Sequence, residues 1–541
     1  MPKRQDPSDP TGLPYDFRID RANFQRSEAD VVQTRNNDRQ LLVDRGGTFY
    51  RTAMFSKTLP HNAFGEVSDD DFVKLEVALR SGDQQYFNRI VRAPGAVRKL
   101  VDPQAALAFS LEGADSYSVS MPAAPSMTSS ESAGEMIEVY GMSLLRDESF
   151  RDIQDGTTSQ EATVTTLLTD LNQPGLVFNG PKDGGLVTRG TLFRGPNAGE
   201  TLGPYVSQFL LHDVPQAGMS LEQYIELEND DLLSISVSGW LDIQNGITPG
   251  GANYSGTLAR AYSPRAIASY VHSDVPGGAF LNALMILLAA GASSNPGIPV
   301  LPNEEFFTTM GVGERGARVM HVAELALKAA WRQKWVEHVR LRPEVYAGRV
   351  HLTLDGGEDY DLDDAVLLAG TTANVLSRNT TEGFATYLLP LVYPEGSPAH
   401  PSYPAGHAVI AGACATLLKA FFDGDALMSS LSGGTFPIIE SVTGQESMAM
   451  LEADAITDPT VVNNMTVAGE LNKLASNIAT ARNMAGVHYR SDGDQGILLG
   501  EKVTIQYLKD VAATYNENGT TFLGFQLRKF DGTLEVISSD S

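Results

Sequence analysis

Hydrophobic residues recur at helical spacing along much of this 541-residue chain, and the pattern predicts a mainly α fold. The clearest case is a long helix at residues 314–339, and two more are predicted near the C-terminus at 469–484 and 492–515. Shorter helices are predicted, in chain order, at residues 69–80, 135–145, 160–171, 263–270, 279–292, 304–310 and 409–418, with helical pieces between 367 and 389.

Strand patterns are few and short. Residues 184–195 alternate apolar and polar positions and predict a small β-hairpin or a loop ribbon, and the pattern at residues 350–354 predicts a strand. Residues 522–530 and 533–537 flank Asp531-Gly532, a dipeptide that is typical of tight hairpin turns. The strands therefore add small β-hairpins to a helical protein.

The first 46 residues differ from the rest because they are polar and charged and show no sustained period. We predict that residues 1–46 form an irregular arm, either disordered or draped over another subunit, and that residues 47–541 form one helical domain. The N-terminus lacks the apolar segment of a secretory signal, which favours a cytoplasmic location. The longest apolar run, residues 279–292, is too short to span a bilayer and predicts a buried helix.

The charge balance excludes some partners. Lysine and arginine number 40 against 66 aspartates and glutamates, so the formal net charge is −26 at pH 7. Nucleic acids and anionic membranes bind basic surfaces, so we expect neither as a partner. Cys414 is the only cysteine, which excludes an intrachain disulfide and predicts a small buried side chain.

A proline-rich turn precedes the helix predicted at 409–418. Residues 397–408 read Ser-Pro-Ala-His-Pro-Ser-Tyr-Pro-Ala-Gly-His-Ala, with His400 and His407 on either side of the turn. Prolines fix the backbone and stop a preceding helix, and the start of the next helix offers unpaired amides to an anion. Taken alone, the motif is more typical of an ordinary loop-to-helix junction with two structural histidines than of an anion site.

Two of the predicted helices carry lysine or arginine residues near their C-terminal ends, on the side that is otherwise apolar. Lys334 follows an apolar stripe of the long helix, and Arg342 comes after seven more residues, just before Pro343. Arg482 ends a similar stripe in the helix at 469–484. Buried cations need partners, so three of them predict an anion between them. Separate salt bridges, or a lysine that reaches solvent, would explain the same pattern.

Three blocks carry a family resemblance when taken together and in order: residues 331–344, residues 397–408, and residues 481–493, which read Ala-Arg-Asn-Met-Ala-Gly-Val-His-Tyr-Arg-Ser-Asp-Gly. They resemble the vanadium-dependent haloperoxidases and the type 2 acid phosphatases that share the same oxyanion site. The resemblance implies a fold built on two four-helix bundles, with one vanadate per subunit bound within residues 320–500.

The resemblance also implies roles for individual residues. Vanadate would be held by Lys334, Arg342, Arg482, the Gly406 amide and the position of Ala405, and His488 would bond the vanadium. His407 resembles the acid–base histidine, and the catalytic set would be His407, Lys334 and His400. An imidazole suits proton transfer because its reference pKa is near 6.5.

Within this superfamily the sequence is most similar to the bromoperoxidases. The phosphatases have six residues between the matching Lys and Arg, whereas Lys334 and Arg342 have seven between them, and His400 stands where bromoperoxidases also have histidine. Ala405 departs from the usual serine, and the missing hydroxyl would remove a hydrogen bond worth about 1 kcal/mol.

Two carboxylates complete the predicted site. Asp274 resembles a carboxylate that orients an active-site arginine, although a helix-capping aspartate would look the same. Asp492 matches an aspartate that follows the histidine in the phosphatases, and either holds the ring of His488 or caps the next helix.

The resemblance implies vanadate-dependent oxidation of bromide and iodide by hydrogen peroxide to hypohalous acid, which would halogenate small organic substrates. The relatives are oligomers, so we expect a homo-oligomer. A phosphatase on the same oxyanion site, or a non-catalytic oxyanion-binding oligomeric protein, are the alternatives.

Overall fold

Helices dominate the computed structural model, which describes residues 13–27, 31–517 and 521–538. The helices are α1 Leu13–Ser27, α2 Asp69–Ser81, α3 Gln84–Phe87, α4 Ser130–Leu144, α5 Phe150–Asp155, α6 Glu161–Leu171, α7 Gln208–Leu211, α8 Val237–Gln244, α9 Pro264–Tyr270, α10 Gly278–Ala289, α11 Val312–Arg332, α12 Pro343–Leu354, α13 Asp364–Leu367, α14 Gly370–Thr381, α15 Gly406–Phe421, α16 Leu431–Gly434, α17 Met448–Ala453, α18 Pro459–Val462, α19 Val467–Met484 and α20 Arg490–Thr514. The predicted mainly α fold with small β-hairpins is confirmed.

The strands form four small antiparallel sheets in this part of the chain. They are β1 Leu42–Arg45, β2 Thr48–Arg51, β3 Val67–Ser68, β4 Val214–Gln216, β5 Met219–Leu221, β6 Ile225–Glu228, β7 Tyr254–Ala259, β8 Phe525–Arg528 and β9 Leu534–Ile537. Strands β1 to β3 form one sheet, and the others pair as β4–β5, β6–β7 and β8–β9. The hairpin predicted around Asp531-Gly532 is β8–β9, which pairs Arg528 with Leu534.

Helix α15 lies at the centre of a four-helix bundle, in contact with α11, α19 and α20. Its contact with α20 is close because two glycines leave room for the backbones. A side chain at Gly412 would meet the Ile497 carbonyl oxygen at 2.1 Å, and one at Gly500 would meet that of Val409 at 2.1 Å. Helix α15 is apolar on nearly all sides, which explains why all of its residues except His407 are buried.

A second helical group forms around α4, which contacts α6, α13 and α14 and also touches α19 of the first bundle. Polar caps define where these helices begin. The hydroxyl of Ser129 accepts from the backbone of Ser132 at the start of α4, and Thr466 caps α19 in the same way. One continuous hydrophobic core runs through both groups.

The long predicted helix changes form just before the site. It is α-helical to Arg332 and then widens into a π-helical turn at Gln333–His338. Val339 closes the turn in the left-handed conformation, with φ 50°, which is strained for a β-branched residue. Such turns recur at functional sites, and this one contains Lys334.

The N-terminal segment is more regular than predicted. It carries α1 and β1 in its described part, and Arg35 forms a salt bridge of 2.5 Å with Glu337 of the same chain. Residues 42–45 form a strand because they pair with β2. Their short polar pattern does not predict this pairing. Residues 1–12 and 28–30 of the predicted arm lie outside the described residues.

Two predicted elements are wrong. Residues 350–354 belong to helix α12, because Pro343 at its first position starts a helix that continues through this apolar run. Residues 304–310 form irregular backbone that ends in bends, and the helix begins only at Val312. Of the two alternatives for residues 184–195, the hairpin is wrong: these residues form loops and turns, held by the Thr191 hydroxyl, which accepts from the Thr188 amide at 2.9 Å. Across residues 13–27, 31–517 and 521–538, no helix is both long and apolar enough to cross a membrane.

Candidate active site

Lys334 lies fully buried against the proline-rich turn. Its ammonium donates to the carbonyl oxygens of Pro401 at 2.8 Å and Ser402 at 2.9 Å. Burial lowers the pKa of Lys334 well below its usual value, and the positive charges of Arg342 and Arg482 lower it further against the opposing Asp492. The two hydrogen bonds therefore hold the ammonium beside the turn, and its surroundings disfavour the charged form of the side chain.

Arg342 precedes helix α12 and joins two of the three sequence blocks. Its guanidinium donates to the His400 carbonyl at 2.8 Å, to the Val487 carbonyl at 2.6 Å, and to Nε2 of His488 at 2.9 Å. Burial lowers the pKa of Arg342 to about 9, which still leaves it charged at neutral pH. The planar guanidinium of Arg342 thus links the proline-rich turn to the loop before α20.

Arg482 comes near the end of α19. Its Nη1 donates to the Val271 carbonyl at 2.6 Å and to the Tyr393 hydroxyl at 3.3 Å, and the guanidinium lies 5.2 Å from the centre of the Tyr393 ring. Its Nε is buried and has no hydrogen-bond partner. This donor is therefore available to a group that is not part of the chain.

None of these three cations is in direct contact with a carboxylate in the described part of the chain. Lys334, Arg342 and Arg482 are all buried, and none of them forms a salt bridge there. Arg340, two residues before Arg342, shows the contrast, because it pairs with Glu135 at 2.8 Å and Asp492 at 2.7 Å. Uncompensated buried charge is costly, and together with the unpaired Nε it fits an oxyanion such as vanadate.

His488 is held by a network of buried side chains. Its Nδ1 donates to Asp492 at 2.8 Å, and the same carboxylate oxygen accepts from the Tyr489 amide at 3.1 Å and from the Ser402 hydroxyl. Burial, followed by Arg342 and Lys334, lowers the pKa of His488 well below its usual value, so the ring is neutral. The lone pair is then on Nε2, the nitrogen that faces Arg342 and could bond a metal.

Asp492 therefore does both things that the sequence left open. It holds the ring of His488, and its contact with the Tyr489 amide caps helix α20. Its other oxygen binds Arg340, which carries the network on to Glu135.

His407, in the first turn of α15, pairs with Asp274. Its Nε2 is 2.8 Å from the carboxylate, and the side chain is 27% exposed. A narrow recess beside the pair, about 10 Å³ in volume, is lined by residues such as Phe280 and Ile478. Burial raises the pKa of Asp274, but His407 and then Arg482 outweigh it, so the pKa lies below the usual value.

Asp274 forms its hydrogen bond with His407, and Arg482 acts on it through its charge, so a role of Asp274 in orienting an arginine stays a prediction. The capping alternative is wrong, since α10 begins at Gly278 with Gly277 as its cap.

His400 lies against Arg342 and an aromatic ring. Its Nδ1 lies 3.0 Å from Nη2 of Arg342 and 3.2 Å from the Pro401 carbonyl oxygen, and its ring lies 4.9 Å from that of Trp331. Burial, followed by Lys334 and Arg342, lowers the pKa of His400 well below its usual value. His400 is therefore a neutral imidazole beside the cations.

The turn ends at the start of α15, where Ala405 is the cap residue and offers no side-chain acceptor. Helix starts leave amides unpaired, so Gly406 and the residues after it present donors. A side chain at Gly406 would approach Trp331 to 3.3 Å, which favours glycine here.

Hydrogen bonds connect Lys334, Arg342, His488 and Asp492 with the proline-rich turn that carries His400. His407 and Asp274 form a separate pair, and Arg482 is held by Val271 and Tyr393; His407 and Arg482 act on His488 through charge. The sequence missed Arg340, Ser402 and Tyr393, which contact site residues but lie in segments with no periodic signal.

Comparisons with known proteins show which family the chain resembles along its length. Residues 319–517 match the family model described as the VCPO second helical-bundle domain. The chain is 33% identical to a vanadium-dependent bromoperoxidase from Corallina officinalis, over 96% of this chain and 97% of the relative. It is 31% identical to one from Ascophyllum nodosum, over 99% of this chain and 95% of the relative.

A solved structure is also similar. It is the homohexameric structure of the second vanadate-dependent bromoperoxidase from Ascophyllum nodosum, with a TM-score of 0.85 and 28% identity. The match covers 98% of this chain and 91% of that chain.

Proposed function

The chain belongs to the family of vanadium-dependent bromoperoxidases, and on that premise we propose that it oxidises bromide and iodide with hydrogen peroxide when vanadate is bound. The observation that carries the proposal is the set of three buried cations, Lys334, Arg342 and Arg482, without a carboxylate partner in the described residues. A tetrahedral oxyanion would supply the missing negative charge.

We propose that these cations and the Gly406 amide at the start of α15 hold one vanadate per subunit, with His488 Nε2 as the ligand of vanadium. The position of Ala405 would face the same oxygens without adding a hydroxyl. The support for His488 is its tautomer, since Asp492 fixes the proton on Nδ1 and leaves Nε2 with its lone pair.

Bound vanadate would act as a Lewis acid that activates hydrogen peroxide toward a halide, giving hypohalous acid that halogenates small organic substrates. Lys334 would add positive charge where negative charge develops on oxygen. The overall reaction, Br⁻ + H₂O₂ + H⁺ → HOBr + H₂O, consumes a proton. His407 is proposed to deliver it from Nδ1, because Asp274 keeps the proton on Nε2 in place. His400 would hold the Arg342 guanidinium in place through the contact of 3.0 Å between its Nδ1 and Arg342.

A phosphatase and a non-catalytic oxyanion-binding protein use the same pocket chemistry but are not favoured by the relatives. A direct test separates the three. The apoprotein is assayed for bromination of a diketone dye with bromide and peroxide, with and without vanadate, beside hydrolysis of a phosphomonoester without vanadate. We expect bromination that depends on vanadate. Phosphomonoester hydrolysis as the only activity, or neither activity, would contradict the proposal.

Lys334→Met tests the role of the cations. We expect it to abolish vanadate-dependent bromination, since a fully buried charge beside the turn is lost. Lys419→Met is the matched control. Lys419 is also fully buried, but its ammonium contacts Asn472 at 2.9 Å and the Phe530 ring, about 20 Å along α15 from Gly406. Equal loss of activity in both variants would point to general destabilisation.

We further propose a homo-oligomer, because the similar bromoperoxidase structure is a homohexamer. The N-terminal segment as an intersubunit element and a cytoplasmic location stay predictions, and no subunit number is predicted. Light scattering of the purified protein measures the subunit number.

A further inference from the structure

A four-residue turn before α10 holds two of the proposed site residues at once. The carbonyl oxygen of Val271 accepts from Arg482 at 2.6 Å, and the carboxylate of Asp274, three residues later, accepts from His407 at 2.8 Å. The orientation of both site residues therefore depends on the position of this turn. His272 lies within it and has no role in the chemistry proposed above.

His272 is anchored by two carboxylates from different parts of the chain. Its Nδ1 lies 2.7 Å from Glu228 at the end of β6, and its Nε2 lies 3.2 Å from Glu395 in the loop before the proline-rich turn. A neutral imidazole has only one N–H, so one nitrogen would face a carboxylate with its lone pair. Both contacts are favourable only when the ring is an imidazolium.

Other charges around the ring fit this state. Arg98 lies 3.9 Å from the Glu395 carboxylate, and the Asn253 amide donates to the Glu228 carboxylate at 3.3 Å, so each carboxylate is itself held in place. Arg265 donates to the main-chain carbonyl oxygen of Glu228 at 2.8 Å. Burial alone lowers the pKa of His272, but Glu228 and Glu395 outweigh it and raise the pKa to about 9. The imidazolium thus persists across the neutral range.

The ring of His272 also reaches Arg482 through an aromatic neighbour. It stacks on Tyr393 with 3.8 Å between ring centres and an angle of 12°. The Tyr393 hydroxyl donates to the Ala268 carbonyl at 2.8 Å and accepts from Arg482 at 3.3 Å. Both acceptors that hold Nη1 of Arg482, the Val271 carbonyl and the Tyr393 hydroxyl, are therefore held in turn by His272.

We infer that His272 is a positioning residue, whose imidazolium between Glu228 and Glu395 fixes residues 271–274 so that Arg482 and His407 keep their orientations toward the oxyanion. The inference rests on the proposed function, because it assumes that Arg482 contacts vanadate. It adds a charged anchor that lies outside the group of residues in contact with the anion.

The test measures vanadate affinity of the apoprotein by isothermal titration calorimetry, independently of turnover. We expect His272→Gln to weaken vanadate binding by roughly 10–100-fold, the usual loss when a supporting contact behind a metal site is removed. The matched control is His321→Gln, because His321 also pairs with a carboxylate, Glu112 at 3.1 Å, on the surface of α11. That variant should bind vanadate like the wild type.

A pH series distinguishes positioning from a merely structural role. The wild-type affinity should fall relative to that of His272→Gln as pH rises through about 9, because the wild type then loses its own imidazolium. The ratio of the two dissociation constants cancels the titration of vanadate itself. Glu395→Gln keeps His272 but removes one carboxylate, so it should move this loss toward neutral pH. It also provides the test if His272→Gln does not fold.

The outcomes separate the inference from the proposed function. If the wild type binds no vanadate, the proposed function fails. If the wild type binds vanadate and His272→Gln binds it equally well, or if Glu395→Gln has the wild-type pH dependence, the positioning role of His272 is refuted and the proposed function stands.

Discussion

Asp492→Asn replaces one carboxylate oxygen by an NH₂ group at the centre of the buried network around His488. The contacts of Asp492 allow its effects on vanadate binding and on stability to be predicted. Every contact of the carboxylate is with a donor: His488 Nδ1, the Tyr489 amide and the Ser402 hydroxyl on one oxygen, and Arg340 on the other. An asparagine must place its NH₂ group toward one of these sets. The charged Arg340 requires an oxygen, so the NH₂ group should turn toward His488.

That orientation reverses the tautomer of His488. Its Nδ1 would become an acceptor for the asparagine NH₂, the proton would move to Nε2, and the lone pair proposed to bond vanadium would be lost. The Tyr489 amide would also lose its acceptor. We therefore expect vanadate affinity to fall by at least 10–100-fold, measured by calorimetric titration of the apoprotein.

Stability should fall as well. Arg340 would keep Glu135 but lose one of two carboxylates, so the cost belongs at the low end of the range for breaking a buried pair, about 3 kcal/mol. Urea denaturation of the apoprotein measures this loss.

The matched control is Asp494→Asn, two residues later on α20. Its carboxylate lies 3.7 Å from Arg490, and burial, with Glu200 adding to it, raises its pKa to about 7, so it is partly neutral already. We expect little change in vanadate binding. A folded Asp492→Asn protein that binds vanadate as tightly as the wild type would refute the argument from the tautomer.

Three further predictions follow from the same contacts. Ala405→Ser should restore a cap and a hydroxyl at the start of α15, and tighten vanadate binding by roughly fivefold, equivalent to about 1 kcal/mol, in the same titration; unchanged binding would place this position outside the oxyanion site. His407→Ala should lower bromide turnover by roughly 10²–10⁴-fold with little change in vanadate affinity, and a loss confined to affinity would contradict its proton role. The pKa of Lys334 is lower in the folded than in the unfolded protein, so the unfolded state binds more protons, and the stability of the apoprotein should rise with pH toward 10.5. Thermal melts of the apoprotein should show this rise in the wild type but not in Lys334→Met, and equal pH dependence in both would contradict it.

The fold was predictable where the pattern was long and periodic. Helices α11, α15, α19 and α20 all appear in the hydrophobic spacing, because each buries a wide apolar surface in the bundle. The run at residues 350–354 was too short to distinguish strand from helix by its period. Its helical state is set by Pro343, seven residues earlier.

Some residues of the candidate site could likewise be predicted from the sequence, and others could not. Residues that carry charge on apolar stripes, such as Lys334 and Arg482, stood out because burial of a charge is unusual. The π-helical turn that presents Lys334 left no signal, since it depends on how the chain packs after Arg332. Tyr393 and His272 were not predictable either, because they meet Arg482 and its turn only through tertiary contacts.

A crystal structure of the protein soaked with vanadate tests the central claim most directly, namely that the buried cations Lys334, Arg342 and Arg482 are held apart for one oxyanion. We expect a single anion per chain bonded to Nε2 of His488, in contact with all three cations, with Arg342 turned away from that nitrogen. An anion bound elsewhere, with the contact of 2.9 Å between Arg342 and His488 intact, would contradict the account.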